Sequence, residues 1–165
     1  MDLSTLTTIH TGLSLIALAA GVPVIASLLH GRIATAWTGV FLWTAVATSV
    51  TGFIFPFNGF LPSHGVGVIA LAVLVPTLAG LYLFGLRDNW RRIYAAGAVA
   101  SEYFLVFVAV AQAFQKVPAL RALAPTQAEP PFAIAQAIVL VVFLWLGWRV
   151  LRAARPAIVT RRVPR

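Results

Sequence analysis

One carboxyl group in this sequence lies where water is not expected. Glu102, in Ala100-Ser101-Glu102-Tyr103, falls near the centre of the apolar stretch 93–115. A carboxyl at mid-depth in hydrocarbon is costly, and such groups mark proton relays, ion paths or ligand sites. On a helix, Glu102 shares a face with Ala95, Ala98, Val106, Ala109 and Gln112 or Ala113. Small residues at that spacing let a second helix approach closely, so Glu102 is expected to face a neighbouring helix rather than lipid. No cation is in reach. Lys116 is about 21 Å away along a helix and Arg92 about 15 Å. The acid is therefore expected to be neutral and bonded to a hydroxyl or a freed carbonyl. Thr44, Thr48 and Thr51 form one stripe of the second apolar segment, and Thr77 is expected level with them in the third. Pro23 and Pro76 deprive the carbonyls of Ala19 and Ala72 of their helical donors. Together these groups outline a polar belt with two readings: contact between helices, or a proton or ligand site.

The histidines offer a second chemistry. His10 and His64 begin two apolar segments that run the same way, each beside glycine: Gly12, and Gly65 with Gly67. Two opposed imidazoles with room between them could hold a b-type haem for electron transfer. The plainer alternative is a polar role near interfacial water, with Ser63 as the N-cap of the helix that His64 enters. A metal shared by His10, His64 and Glu129 is less supported, because Glu129 sits in a long loop without diagnostic spacing. His30, in His30-Gly31-Arg32, reads as a solvated helix end.

These groups must be positioned by apolar helices. The chain is 61% hydrophobic and only 10% charged, against roughly 25% charged in soluble domains. Too few charges remain to cover a surface in water. Five apolar segments, about 8–29, 34–55, 65–86, 93–115 and 132–151, each approach the ~20 residues that span hydrocarbon. The expected fold is an all-α integral membrane bundle of five transmembrane helices in one domain, 1–151, with a basic tail, 152–165. The first segment reads as a retained helix, since Asp2 precedes it without Lys or Arg and the apolar run continues to Leu29. Ten of the twelve basic residues fall in the loops and tail on one side, and only Lys116 and Arg121 on the other. This bias predicts an exterior N-terminus and a cytoplasmic C-terminus. The same pattern explains the net charge of +8 by topology and anionic lipids at the tail, rather than by nucleic acid. A faint repeat relates the first segment to the third: His10 to His64, Pro23 to Pro76, Gly31 to Gly85. The loop Phe55-Pro56-Phe57-Asn58-Gly59-Phe60-Leu61-Pro62 carries no charge and is expected in the interface. Pro118–Leu123 is expected to form a short interfacial helix within a loop that could act as a lid or docking surface.

With no cysteine, disulfides and thiolate chemistry are excluded. No Walker A, G-x-G-x-x-G, H-E-x-x-H or G-x-S-x-G motif is present, which disfavours nucleotide enzymes and soluble-type hydrolases. The run 107–132, from Phe107-Val108-Ala109-Val110-Ala111-Gln112 through Ala124-Pro125-Thr126-Gln127-Ala128-Glu129-Pro130-Pro131-Phe132, with the Ile9-His10 opening, resembles a family of small bacterial multi-pass membrane proteins of unknown function. The resemblance implies a bacterial cytoplasmic-membrane protein and supplies no activity. Two functional classes follow. One is a binding, accessory or small transport module, in contact with itself or other membrane subunits, with Glu102, Thr44, Thr48 and Thr77 at its polar centre. The other is a haem-binding electron-transfer protein using His10 and His64. Catalysis outside redox chemistry is the least supported class.

Overall fold

In hydrocarbon, backbone N–H and C=O groups must find partners within their own segment, so long apolar stretches fold as helices. The computed structural model describes residues 2–56 and 62–154, without the side chains of Thr35, Pro62 and Ser63. The expected N-cap of Ser63, the apolar loop 57–61 and the tail from Arg155 lie outside the described residues. The helices are α1 (Leu3–Leu29), α2 (Thr35–Gly52), α3 (Pro62–Leu78, continued by a π-helical turn, Ala79–Leu83), α4 (Trp90–Lys116), α5 (Pro118–Leu123) and α6 (Pro130–Ala153). The short helix expected at 118–123 is α5.

Among the described residues, four helical stretches are long and apolar enough to cross a membrane: Leu3–Leu29, His64–Leu83, Trp90–Lys116 and Pro130–Ala153. The sequence reading counted five, and the difference is α2. This helix has 18 residues, about 27 Å, but Thr35, Thr38, Thr44, Thr48, Ser49 and Thr51 lower its hydropathy. Much of that polarity is absorbed locally. Thr44 donates to the Val40 carbonyl at 2.6 Å, Ser49 to Ala45 at 2.9 Å and Thr51 to Ala47 at 2.8 Å. Such back-bonding hides a hydroxyl from an apolar surrounding.

Side-chain contacts fix the directions. His10, early in α1, meets Thr51, late in α2. Gly97 of α4 packs on Thr77 of α3, and Gly80 packs on Trp90 and Tyr94. Phe114 of α4 meets Phe132 of α6, and Val99 meets Gly147. Sequential long helices are therefore antiparallel. One end gathers the start of α1, the end of α2 and the start of α3, and carries His10 and His64. The other gathers the end of α1 and the start of α4, and carries Arg91. They are called here the histidine end and the arginine end. The α1–α2 turn at the arginine end is a Schellman motif: Arg32 N–H donates to the Ser27 carbonyl and Gly31 N–H to Leu28. Gly31 takes the positive φ, 66°, that this motif requires. The Arg91 guanidinium donates to the Gly31 carbonyl and ties α4 to that turn.

Helix α4 is the hub, packing on α1, α3 and α6 and touching α2. Its buried face is Tyr94, Ala95, Ala98, Val99, Ser101 and Glu102. Helix α6 lies at the edge and leaves Ile134, Ile138, Val141, Leu144 and Trp145 exposed, a surface suited to lipid. Gly97 marks the tightest α3–α4 contact. A Cβ added there would overlap the Thr77 hydroxyl and lie 3.0 Å from the Thr77 Cβ. Gly97→Ala is expected to destabilise the detergent-solubilised protein by about 1–3 kcal/mol, as overpacking does. Thermal unfolding should show Thr77→Ala restoring part of that loss. Equal effects of Gly97→Ala with and without Thr77 would show that the helices do not meet there.

Candidate functional site

Glu102 is only 4% exposed. Its carboxyl lies against Gly21 in α1: a Cβ added at Gly21 would overlap Oε2 and Cδ and lie 2.9 Å from Oε1. The seam is built from small residues. Ala17, Ala20 and Gly21 of α1 and Ala95 and Ala98 of α4 are buried, so the two backbones come close enough for a three-carbon side chain to bridge them. Oε2 is buried with no hydrogen-bond partner. Ser101 Oγ, on the preceding residue of α4, is also buried and unpartnered.

The other members of the expected belt are spread out. Thr77 is fully buried, but its hydroxyl donates to the Val73 carbonyl at 2.7 Å and lies over Gly97. Gly97 is about 7.5 Å from Glu102 along α4, toward the arginine end. Thr44 is half-buried and bonds to its own helix. Thr48 is buried, and its Oγ1 has no partner. Ala19 and Ala72, whose carbonyls the prolines free, are both exposed. The group that meets the carboxyl is therefore a glycine, not a threonine hydroxyl or a freed carbonyl. A signal for this was present: Gly21 is a helix-weakening residue within an apolar segment, two positions before Pro23, and such a glycine often marks a close approach.

The two histidines flank the same end of α2. His10 Nδ1 is 2.9 Å from Thr51 Oγ1, and its ring meets Phe55 edge-on, centroids 5.4 Å apart. The Thr51 hydroxyl also lies within hydrogen-bond distance of the Ala47 and Thr48 carbonyls of its own helix. His64 is buried, with its ring stacked on Phe53 at 6.1 Å. Phenylalanine rings thus pack against both imidazoles. His10, His64 and Glu129 do not gather into a metal-holding group; among the described residues no such group occurs. Glu129 instead accepts from the Thr126 hydroxyl at 2.8 Å and the Ala128 amide at 3.1 Å. Desolvation favours the acid, but the hydrogen bonds from Thr126 and Ala128 together outweigh it and hold the carboxyl below the usual range. Glu129 is a loop-organising residue.

The seam yields a coupled prediction. Gly21→Ala should displace the Glu102 carboxyl and cost about 1–3 kcal/mol in thermal unfolding. In a Glu102→Ala background the same change should cost little, because the colliding atoms are gone. Additive costs in the double variant would separate the carboxyl from Gly21.

Compared with protein-family models, curated proteins and solved structures, this chain matches none.

Proposed function

We propose that this multi-span helical membrane protein is a small transport module whose working group is the Glu102 carboxyl, taking up and releasing a proton within the bundle. The observation that carries this reading is Oε2, buried and unpartnered against Gly21. A carboxyl serving only as contact between helices would place its oxygens on donors from its neighbours. Buried polar atoms without partners are uncommon in proteins, and each calls for a specific explanation such as a strained, catalytic or ion-linked role. A carboxylate so buried and unpaired is costly, so the resting form in this reading is the neutral acid. Exchange of its proton then supplies a charge change in the middle of the α1–α4 seam.

The reading also includes a direction. Among the described residues the arginine end carries Arg32, Arg87, Arg91, Arg92, Arg149 and Arg152, and it is assigned to the cytoplasm of a bacterial inner membrane, with α2 as a fifth spanning helix. Helix α2 runs antiparallel to α1 and reaches the level of His10, which supports the fifth span. The sequence has no cysteine, so single cysteines report cleanly. Ala122→Cys in α5 should react with a membrane-impermeant maleimide added to intact cells. Asp88→Cys should react only after permeabilisation. Both residues are exposed. Labelling of both from the same side would contradict the five-span arrangement.

The functional test uses the full chain in liposomes loaded with a pH-sensitive dye. Under a pH gradient, wild-type protein should carry protons faster than empty vesicles. Glu102→Gln keeps the side-chain shape and its hydrogen-bonding groups but cannot release a proton. It should fold with unchanged thermal stability and reduce flux to the empty-vesicle level. Flux that survives in Glu102→Gln, or no flux in wild type, would overturn the reading.

A further inference from the structure

We propose that Glu102 exchanges its proton with solvent through the histidine-end half of the bundle, and that the arginine-end half is closed to it. This rests on the reading of Glu102 as a proton-carrying group. It adds the side from which that group is reached, and it identifies Thr48 and Gln136 as water-holding stations on the route.

Among the described residues four side-chain atoms are buried without a partner: Thr48 Oγ1, Ser101 Oγ, Glu102 Oε2 and Gln136 Oε1. Away from Ser101 and Glu102 themselves, the remaining two lie toward the histidine end. Ser101 and Glu102 are adjacent in α4. Gln136 of α6 donates its Nε2 to the Phe107 carbonyl at 3.0 Å, and Phe107 lies about 7.5 Å from Glu102 toward the histidine end. Thr48 lies further out in the same direction. Thr51 is level with His10, which is about 16 Å from Gly21 along α1, and Thr48 is about 4.5 Å inward from Thr51. Ser101 sits one residue, about 1.5 Å, to the arginine-end side of Glu102; beyond it no atom of this set lies toward that end.

On the other side the buried hydroxyls of Thr38, Tyr94 and Thr77 are paired. The Thr38 hydroxyl and the Tyr94 hydroxyl are 3.1 Å apart, both residues buried. The Thr77 hydroxyl is bonded to Val73. The rest of that half is sealed by buried Val24, Leu28, Leu74 and Ala98. Buried polar atoms left open are the places where internal water is held, since a water needs partners that lack them elsewhere. Open atoms toward one end and satisfied atoms toward the other make one half wettable and the other dry.

The titratable groups are arranged consistently with this. At the histidine end stand Asp2 before α1, His10 of α1, His64 of α3, Lys116 of α4, Arg121 of α5 and Glu129 before α6. Helices α2 and α6 place no titratable side chain between that end and Glu102. Tyr103 adjoins Glu102 in α4, while Tyr94 and Arg91 lie toward the arginine end.

The test follows the deuteration of the Glu102 acid by infrared spectroscopy. Full-length protein in lipid nanodiscs is switched from H2O to D2O buffer, and the downshift of the carboxyl band is timed. Glu102→Gln assigns the band. The combined variant Thr48→Val and Gln136→Leu should slow the downshift by about tenfold or more, the rate factor for one lost hydrogen bond along the route. Thr38→Val, on the other side, should leave it unchanged. Thermal unfolding of each variant verifies that it is folded. Unchanged exchange in the combined variant, or slowed exchange in Thr38→Val alone, would overturn the proposal and leave the reading of Glu102 intact. Absence of any band that Glu102→Gln removes would instead overturn the reading of Glu102 on which it rests.

Discussion

The close approach of α1 and α4 at Gly21 is the constraint around which the bundle is organised. Only a residue without a Cβ leaves room for a carboxyl between the two backbones, and Glu102 occupies that room. The alanines on either side, Ala17 and Ala20 on α1 and Ala95 and Ala98 on α4, hold the seam narrow. A narrow seam excludes the larger donors that would normally satisfy a buried acid. The same packing that buries Glu102 therefore also leaves it unpartnered. In lipid, where apolar side chains gain nothing by leaving the solvent, such close van der Waals contact is a principal source of helix association.

From that seam the remaining architecture follows. Helix α4 carries contacts on several faces, with α1 at Glu102, α3 at Gly97 and α6 at Val99. Helix α3 answers with a π-helical turn after Pro76, which brings Gly80 under Trp90 and lets Phe84 stack on Trp90 at 3.9 Å. π-turns within helices are frequent where a function or a tight turn needs the ladder widened. At the arginine end, Arg91 locks the α1–α2 turn by its bond to Gly31. At the histidine end the contacts are aromatic and hydroxylic, through Phe53, Phe55 and Thr51. One end is thus fixed by a charged clamp on backbone, and the other by softer side-chain packing.

Much of this was legible from the sequence. The long apolar runs, the burial of Glu102 among small residues and the short helix at 118–123 needed only hydropathy, spacing and turn residues. The partner of Glu102 was not legible. Helices that are apolar on nearly every side give little periodic signal, so which face meets which neighbour is set by packing. Thr44, Thr48 and Thr77 looked equivalent as a belt because depth was read from segment centres alone. The helix contacts place Thr77 toward one end and Thr48 toward the other. Two of these hydroxyls bond within their own helices, a local choice that sequence spacing does not distinguish from a bond across a seam. The segment 34–55 reads as a span in the sequence, but the hydroxyl content of α2 leaves it less apolar than the four candidate spans, although its antiparallel pairing with α1 is clear from the His10–Thr51 contact.

The central claim is that the carboxyl in the α1–α4 seam is an uncharged acid. The most direct measurement is the infrared difference spectrum of wild-type protein minus Glu102→Gln, recorded in nanodiscs at neutral pH. The account predicts a protonated carboxyl stretch in wild type that the variant lacks. Its position should be that of an acid with weak hydrogen bonding, as Oε2 against Gly21 implies. A carboxylate pair of bands in its place, assigned by the same subtraction, would contradict the account.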